Sequence, residues 1–195
     1  MSHYFKNDQS VKSEPKKHQF MIENVHFEFI TDHGVFSKKG IDFGTKLLIE
    51  TIIDEPFYSA LDLGCGYGPI GITLKRFHPE SKVDMVDVNE RALELAKINA
   101  KMYSLDVDIY QSDGLNRVQS SYDLIVTNPP IRAGKEVIYR FFKDAKDHLN
   151  PHGKLFIVIQ KKQGAPSTIA FCKTIYHSVE VVQKKSGYQI IKCGL

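Results

Sequence analysis

Cysteine is scarce in this chain: Cys65, Cys172 and Cys193 make an odd and scattered set of three. That excludes a disulfide framework and a zinc cluster and fits reduced thiols. The eight histidines are dispersed, with no pair at metal-ligand spacing on a recognisable helix, so no metal is expected. No apolar run approaches the roughly 20 residues of a membrane span, and no membrane partner is expected. The opening stretch, MSHYFKNDQSVKSEPKKHQF, lacks the apolar core of a signal peptide, so a cytoplasmic location is expected. Internal repeats and low-complexity tracts are missing too. Neither charge sign dominates, and a net charge of +3 decides nothing alone.

What is there reads as an ordinary globular chain. Its 195 residues make most simply one domain, able to bury roughly 70% of its unfolded surface. Basic residues gather locally: Lys16-Lys17-His18, Lys38-Lys39, Arg132 with Lys135, Lys161-Lys162 and Lys184-Lys185. Any one pair reads as a solvated loop end. Several on one face would form a phosphate-binding surface.

Residues 1–18 are polar and expected to be mobile at the start. HFEFITD (26–32) alternates as a strand does. Residues 42–54 carry Phe43, Leu47, Leu48 and Ile52 at helical spacing behind Asp42, an N-cap residue type. From residue 58 strands and helices alternate. Strands are expected at 58–63, 82–88, 107–113, 122–128 and 153–160, with helices at 69–77, 89–103 (capped by Asn89) and 134–149. This alternation implies an α/β, doubly wound, mostly parallel sheet with helices on both faces. Residues 178–185 and 188–194 form two strands around Ser186-Gly187, a hairpin at one sheet edge. Residues 1–54 are expected to form a small β/helix extension that packs on a core of 55–195.

The segment LDLGCGYGPIG joins a strand to a helix. Gly64, Gly66 and Gly68 let the backbone turn sharply and approach a ligand. Gly66, Gly68 and Gly71 fit G-x-G-x-x-G, and Asp87 ends the next strand, where a carboxylate receives ribose hydroxyls. That is the context of a nucleoside site. Asp113, in QSDG, adds an acceptor suited to an adenine amino group.

Asn128-Pro129-Pro130 then separates NAD from S-adenosylmethionine (AdoMet). An Asn-Pro-Pro ending a strand has no role in hydride transfer. In amine methylation it does. The lone pair of an exocyclic or amide nitrogen is delocalised, and two acceptors on its N–H groups favour pyramidalisation toward the methyl donor. The side-chain oxygen of Asn128 and the carbonyl of Pro129 can be those acceptors, with the carbonyl's direction fixed by the prolines.

LDLGCGYGPIG, DVN, SDG and TNPPIRAGK together resemble the class I AdoMet-dependent methyltransferases. With HGVFSKKGIDFGTKLLI they resemble, more narrowly, the 16S small-subunit ribosomal RNA guanine-N2 methyltransferases, over roughly residues 20–195. The resemblance implies a seven-stranded Rossmann-like methyltransferase fold, AdoMet as cofactor, and ribosomal RNA or the small ribosomal subunit as partner. It places Asp62 and Gly64 near the methionine part of AdoMet, Asp87 at the ribose and Asp113 at the adenine, with Gly66, Gly68, Val88, Gly114 and Asn128 also expected at the cofactor. It puts Asn128, Pro129 and Pro130 on the target amine, and Phe36, Asp42 and Thr45 along the cofactor and substrate cleft. Many amino methyltransferases have Tyr or Phe after the two prolines to stack on the base; this chain has Ile131, and Phe36 becomes the expected stacking partner. Tyr67 is expected to pack beside the cofactor. No second, degenerate methyltransferase domain is expected at this length. RNA recognition then falls to the first 30 residues and to basic positions, among them Lys38, Lys39, Arg132 and Lys135. A monomer is favoured. The alternatives are a protein glutamine-N5 or DNA adenine-N6 methyltransferase, a non-catalytic RNA-binding or assembly factor, and an NAD oxidoreductase, which no hydride-site arrangement supports.

Overall fold

The computed structural model describes residues 14–35, 37 and 40–195. Strands β1 (Lys16–Ile22) and β2 (Val25–Thr31) form an antiparallel hairpin. Helix α1 (Phe43–Ile52) follows, then β3 (Ser59–Leu63), α2 (Pro69–Phe77), β4 (Lys82–Asp87), α3 (Glu90–Met102), β5 (Asp108–Gln111) and β6 (Tyr122–Thr127). The chain continues with α4 (Lys135–Asp147), β7 (Leu149–Gln160), α5 (Ala165–Ile175), β8 (Ser178–Lys185) and β9 (Tyr188–Gly194).

Seven strands make one sheet in the order β5-β4-β3-β6-β7-β9-β8. β3 to β7 run parallel, and β9 lies antiparallel between β7 and β8. The expected hairpin is present: Ser186 and Gly187 both take positive φ, 49° and 80°, as a type I′ turn requires. The central strands are apolar on both faces. Leu61, Leu63, Val83, Met85, Val86, Leu124, Ile125 and Val126 are each at most 1% exposed, the pattern of a parallel sheet covered twice. One face buries Leu48, Ile72, Leu74 and Ala96 with Phe27 and Phe29 of the hairpin; the other buries Phe142, Ala145, Leu155 and Cys172. Each fully buried Leu, Ile or Phe among them contributes about 1.5–3 kcal/mol.

Asn99 of α3 fastens the hairpin. It accepts from Ile30 N at 2.8 Å and donates to the carbonyls of Ile30 and Tyr67 at 3.0 and 2.9 Å. The caps expected at α1 and α3 are present: Asp42 accepts from Gly44 N and Thr45 N, and Asn89 accepts from Ala92 N.

Two elements differ from the sequence expectation. Residues 16–18, expected in a mobile start, belong to β1, whose inward positions His18, Phe20 and Ile22 alternate with exposed Lys17, Gln19 and Met21. The charged first half hides that alternation. Helix α5 was not expected at all. Its sequence, APSTIAFCKTI, is rich in residues of middling helix propensity, but Ala165, Thr168 and Cys172 bury one narrow stripe and a proline occupies its first turn.

The strand order reverses between β3 and β6, so the loops leaving these neighbours diverge. In a doubly wound sheet the crevice that forms there is where ligands bind.

Candidate active site

A cleft of about 670 Å³ opens at this switch point. Its wall includes Gly64, Gly66, Asp87, Val88, Asp113, Gly114, Asp42, Thr45 and Asn128 through Arg132. Elements distant in sequence therefore converge on one cavity of ligand size.

The glycine loop leaves β3 with Gly64 N and Cys65 N donating to Val86 O at 2.8 and 2.9 Å. Gly64 takes φ 78°, and a Cβ there would meet no atom within 4 Å. The backbone is thus bare toward the cleft. Gly68 does another job. It is not on the cleft wall, and a Cβ would come within 2.8 Å of Ile72 Cδ1 and 2.9 Å of Met85 Cε, so this glycine lets α2 sit close against β4. Cys65 lies on the wall, but burial pushes its thiol well above the ordinary range. A neutral thiol is no nucleophile.

Asp62, expected near the ligand, is instead 1% exposed beneath the loop and off the cleft wall. Its Oδ2 accepts from Gly71 N at 2.8 Å, while Oδ1 is buried without a partner among the described residues. Burial pushes its carboxyl up from 3.8 to about 7, against the Gly71 hydrogen bond. The folded chain therefore keeps a proton that the unfolded chain has lost between these two values. Stability should fall as pH rises through that window and level off above about 7. Asp62→Asn should flatten most of this slope in denaturant midpoints taken at both ends of the window; Asp87, also pushed up by burial, leaves a residue of the same sign. An unchanged slope would remove Asp62 as its source.

Asp87 is on the wall yet only 5% exposed. Its Oδ2 accepts from Gly66 N and its Oδ1 from Asn89 N, both at 2.9 Å. It shapes the loop as well as facing the cleft, and its carboxylate has further lone-pair positions for ribose hydroxyls. Val88 beside it is 38% exposed, an apolar side chain left open on the wall. Asp113 is paired with Arg140 at 2.6 Å, which engages one oxygen. Gly114, at φ 58°, sits against the Phe141 ring, which would lie 2.8 Å from a Cβ there.

Asn128 ends β6, where Thr127 Oγ1 donates to Leu63 O at 2.8 Å and ties the two strand ends together. Asn128 Nδ2 donates to Thr45 Oγ1 at 2.8 Å and lies 3.5 Å from Asp42 Oδ2. Thr45 Oγ1 in turn donates to Asp42 Oδ2 at 2.5 Å. This chain fixes the amide's orientation. An ionised carboxylate only accepts, so the Thr45 proton goes to Asp42, and Thr45 can then only accept from Asn128. Nδ2 must face Thr45, and Oδ1 is the atom left to receive a donor. Among the described residues neither Asn128 Oδ1 nor the Pro129 carbonyl has a hydrogen-bond partner, whereas the Pro130 carbonyl is taken by Ala133 N at 2.8 Å. Among the described residues, two acceptors at one turn therefore carry no partner.

Ile131 and Arg132 line the cleft; Lys135 begins α4, exposed and off the wall. Tyr67 lines the cleft as expected, though it is only 2% exposed and its ring packs edge-on against Phe29, ring centroids 5.9 Å apart. Phe36, Lys38 and Lys39 lie outside the described residues. Gln163 and Tyr188 were not expected and both line the cleft. Their signal was topological: the partner strand of β7 starts at the end of β7 that faces the cleft.

Residues 26–192 match the family model of the methyltransferase small domain. The chain is similar to the uncharacterized protein YbxB of Bacillus subtilis, 48% identical over 97% of this chain and 96% of that one. It is also similar to ribosomal RNA small subunit methyltransferase C of Psychromonas ingrahamii, 28% identical over 91% of this chain and 51% of that protein. Among solved structures, the T. thermophilus 16S rRNA N2 methyltransferase RsmC, in complex with AdoMet and guanosine, matches with a TM-score of 0.84 at 22% identity. That match covers 94% of this chain and 51% of the other. The chain thus spans about half the length of these named methyltransferases, and it shares their Rossmann-like methyltransferase fold. By the match over residues 26–192, the chain belongs to the methyltransferase small domain family.

Proposed function

We propose that the protein transfers the methyl group of AdoMet to an exocyclic base amine of RNA, guanine N2 of small-subunit ribosomal RNA being the specific target. The observation that carries this is the fixed amide of Asn128, which lines the switch-point cleft together with Pro129 and whose Oδ1 has no partner among the described residues. The names of the Psychromonas and T. thermophilus proteins support the RNA substrate, and the second supports guanine N2.

The residues present fit the donor. Gly64 and Gly66 give bare backbone, Asp87 and Asp113 give carboxylates, and Val88 gives apolar surface. Those residues, with Gly114, would hold AdoMet, which supplies a sulfonium methyl as electrophile. Asn128 Oδ1 and the Pro129 carbonyl accept the two N–H groups of the target amine and orient its lone pair. Asp42 and Thr45 keep the amide from flipping. No charged base is required before attack, because the methylated ammonium is acidic and its proton leaves to water. The catalysis is positioning and preorganised hydrogen bonding. Ile131 gives the base an apolar neighbour. The cytoplasm, where ribosomes are assembled, is the compartment this reading requires.

The test of acceptor class uses AdoMet labelled in the methyl group, with small-subunit RNA and ribosomal protein offered separately. Label in RNA alone is expected. Label in protein alone would replace the reading by glutamine-N5 methylation.

A further inference from the structure

Charge is distributed unevenly along the chain. Residues 148–195 hold seven lysines and one acidic residue, Glu180. The excess of positive charge therefore lies in the C-terminal elements, at the β7, β9 and β8 side of the sheet.

Two lysine pairs from this region flank the start of β9. After β7 the chain makes a single 3-10 turn, Lys161–Gln163, and Lys161 N donates to Gly187 O of the β8–β9 turn at 2.8 Å. That bond holds the Lys161–Lys162 turn against the β8–β9 turn, which Lys184 and Lys185 lead into, and all four side chains are exposed. The corner adjoins the cleft. Tyr188 lines the cleft and pairs with Gln160 on one side and Lys185 on the other. Cross-strand partners project to the same face with Cβ atoms about 4.5–5.5 Å apart, so Lys185 stands next to the Tyr188 ring. The ring rests on α1: a Cβ on Gly44 would come within 2.6 Å of it, and the Phe43 ring centroid is 5.6 Å away. Gly44 donates to the same Asp42 carboxylate that sets Asn128. The aromatic platform and the amine-facing amide are therefore built on one turn.

We propose that this corner seats the RNA strand that enters the cleft, with Lys161, Lys162, Lys184 and Lys185 on its phosphates and Tyr188 stacked on one of its bases. The inference rests on RNA as substrate. It supplies the aromatic face that Ile131 does not, and single-stranded RNA is bound by this pairing of cationic groove and ring platform.

The test is fluorescence anisotropy with a short labelled single-stranded RNA of mixed sequence, across a salt series. Changing all four lysines to Gln should weaken binding roughly fivefold per phosphate contact at about 0.1 M salt and lower the slope of log affinity against log salt by about 0.7 per contact. Tyr188→Leu keeps an apolar group on Gly44 and loses the ring. It should weaken binding by about five- to a hundred-fold with the slope unchanged. Lys97→Gln with Lys101→Gln, on α3, is the control and should leave the slope near that of the wild type. Denaturant midpoints confirm that each variant is folded. A four-lysine variant with wild-type slope and affinity overturns the proposal, as does a wild type that shows no salt-dependent RNA binding. Binding is read without methyl transfer, so the two readings fail separately. RNA bound at this corner but never methylated would refute the reaction alone; RNA methylated with an unchanged KM in the four-lysine variant would refute the corner alone.

Discussion

Asn128→Ala is expected to lower single-turnover methyl transfer to RNA by about 10² to 10³, the usual cost of one preorganised transition-state contact. AdoMet affinity should change only modestly, because the residues assigned to the donor lie in the loop after β3, at the end of β4 and in the loop after β5. Folding should suffer little, since the side chain is half-buried at a strand end. Asn128→Asp is more discriminating. It keeps an acceptor for the amine but loses the donor to Thr45, and it sets a second carboxylate where Nδ2 now lies 3.5 Å from Asp42. Partial activity is expected. Adding Asp42→Asn, which removes the like charge, should raise it. If Asn128→Ala transfers methyl groups at the wild-type rate with RNA saturating, the amine clamp is wrong.

Asp87→Ala should have the second large effect, on cofactor binding. The carboxylate is assigned to ribose hydroxyls, and charge-assisted hydrogen bonds of this kind contribute about 1.5–3 kcal/mol. AdoMet affinity should fall roughly ten- to a hundred-fold by calorimetry. The same change removes the carboxylate that accepts from Gly66 N and Asn89 N. A loss of about 1–3 kcal/mol in folding stability should accompany it. Asp87→Asn keeps one acceptor oxygen and should lie between on both counts. Unchanged AdoMet affinity in Asp87→Ala would remove the ribose assignment.

The parts of the site that were legible in the sequence are those that short-range chemistry fixes. Asp42 and Asn89 read as caps because a side-chain oxygen there satisfies an otherwise orphaned N–H. The glycine loop and the Asn-Pro-Pro turn were placed in the sequence at strand ends, where the structure has them, because only particular residues accept those backbone conformations. What required the structure is long-range. Thr45 meets Asn128 across 83 positions, and no local pattern encodes that pairing. Asp62 precedes the glycine loop and so reads as a ligand contact, but the N-terminal turn of α2 captures its carboxylate. Gly68 fits the fingerprint spacing and yet serves helix–strand packing. Lys161 and Lys185 flank the start of β9 only because β9 inserts between β7 and β8. Helix α5 was hidden because its buried stripe is three residues wide and its propensity weak.

The central claim is that this cleft methylates the N2 amine of guanine in RNA. The direct measurement is incubation of the wild type with labelled AdoMet and small-subunit ribosomal RNA, digestion of the RNA to nucleosides, and chromatographic identification of the labelled product. The account predicts label in N2-methylguanosine, and none when Asn128→Ala replaces the wild type over the same short reaction time. Label in N6-methyladenosine, in a ribose-methylated nucleoside, or in no nucleoside at all would contradict it.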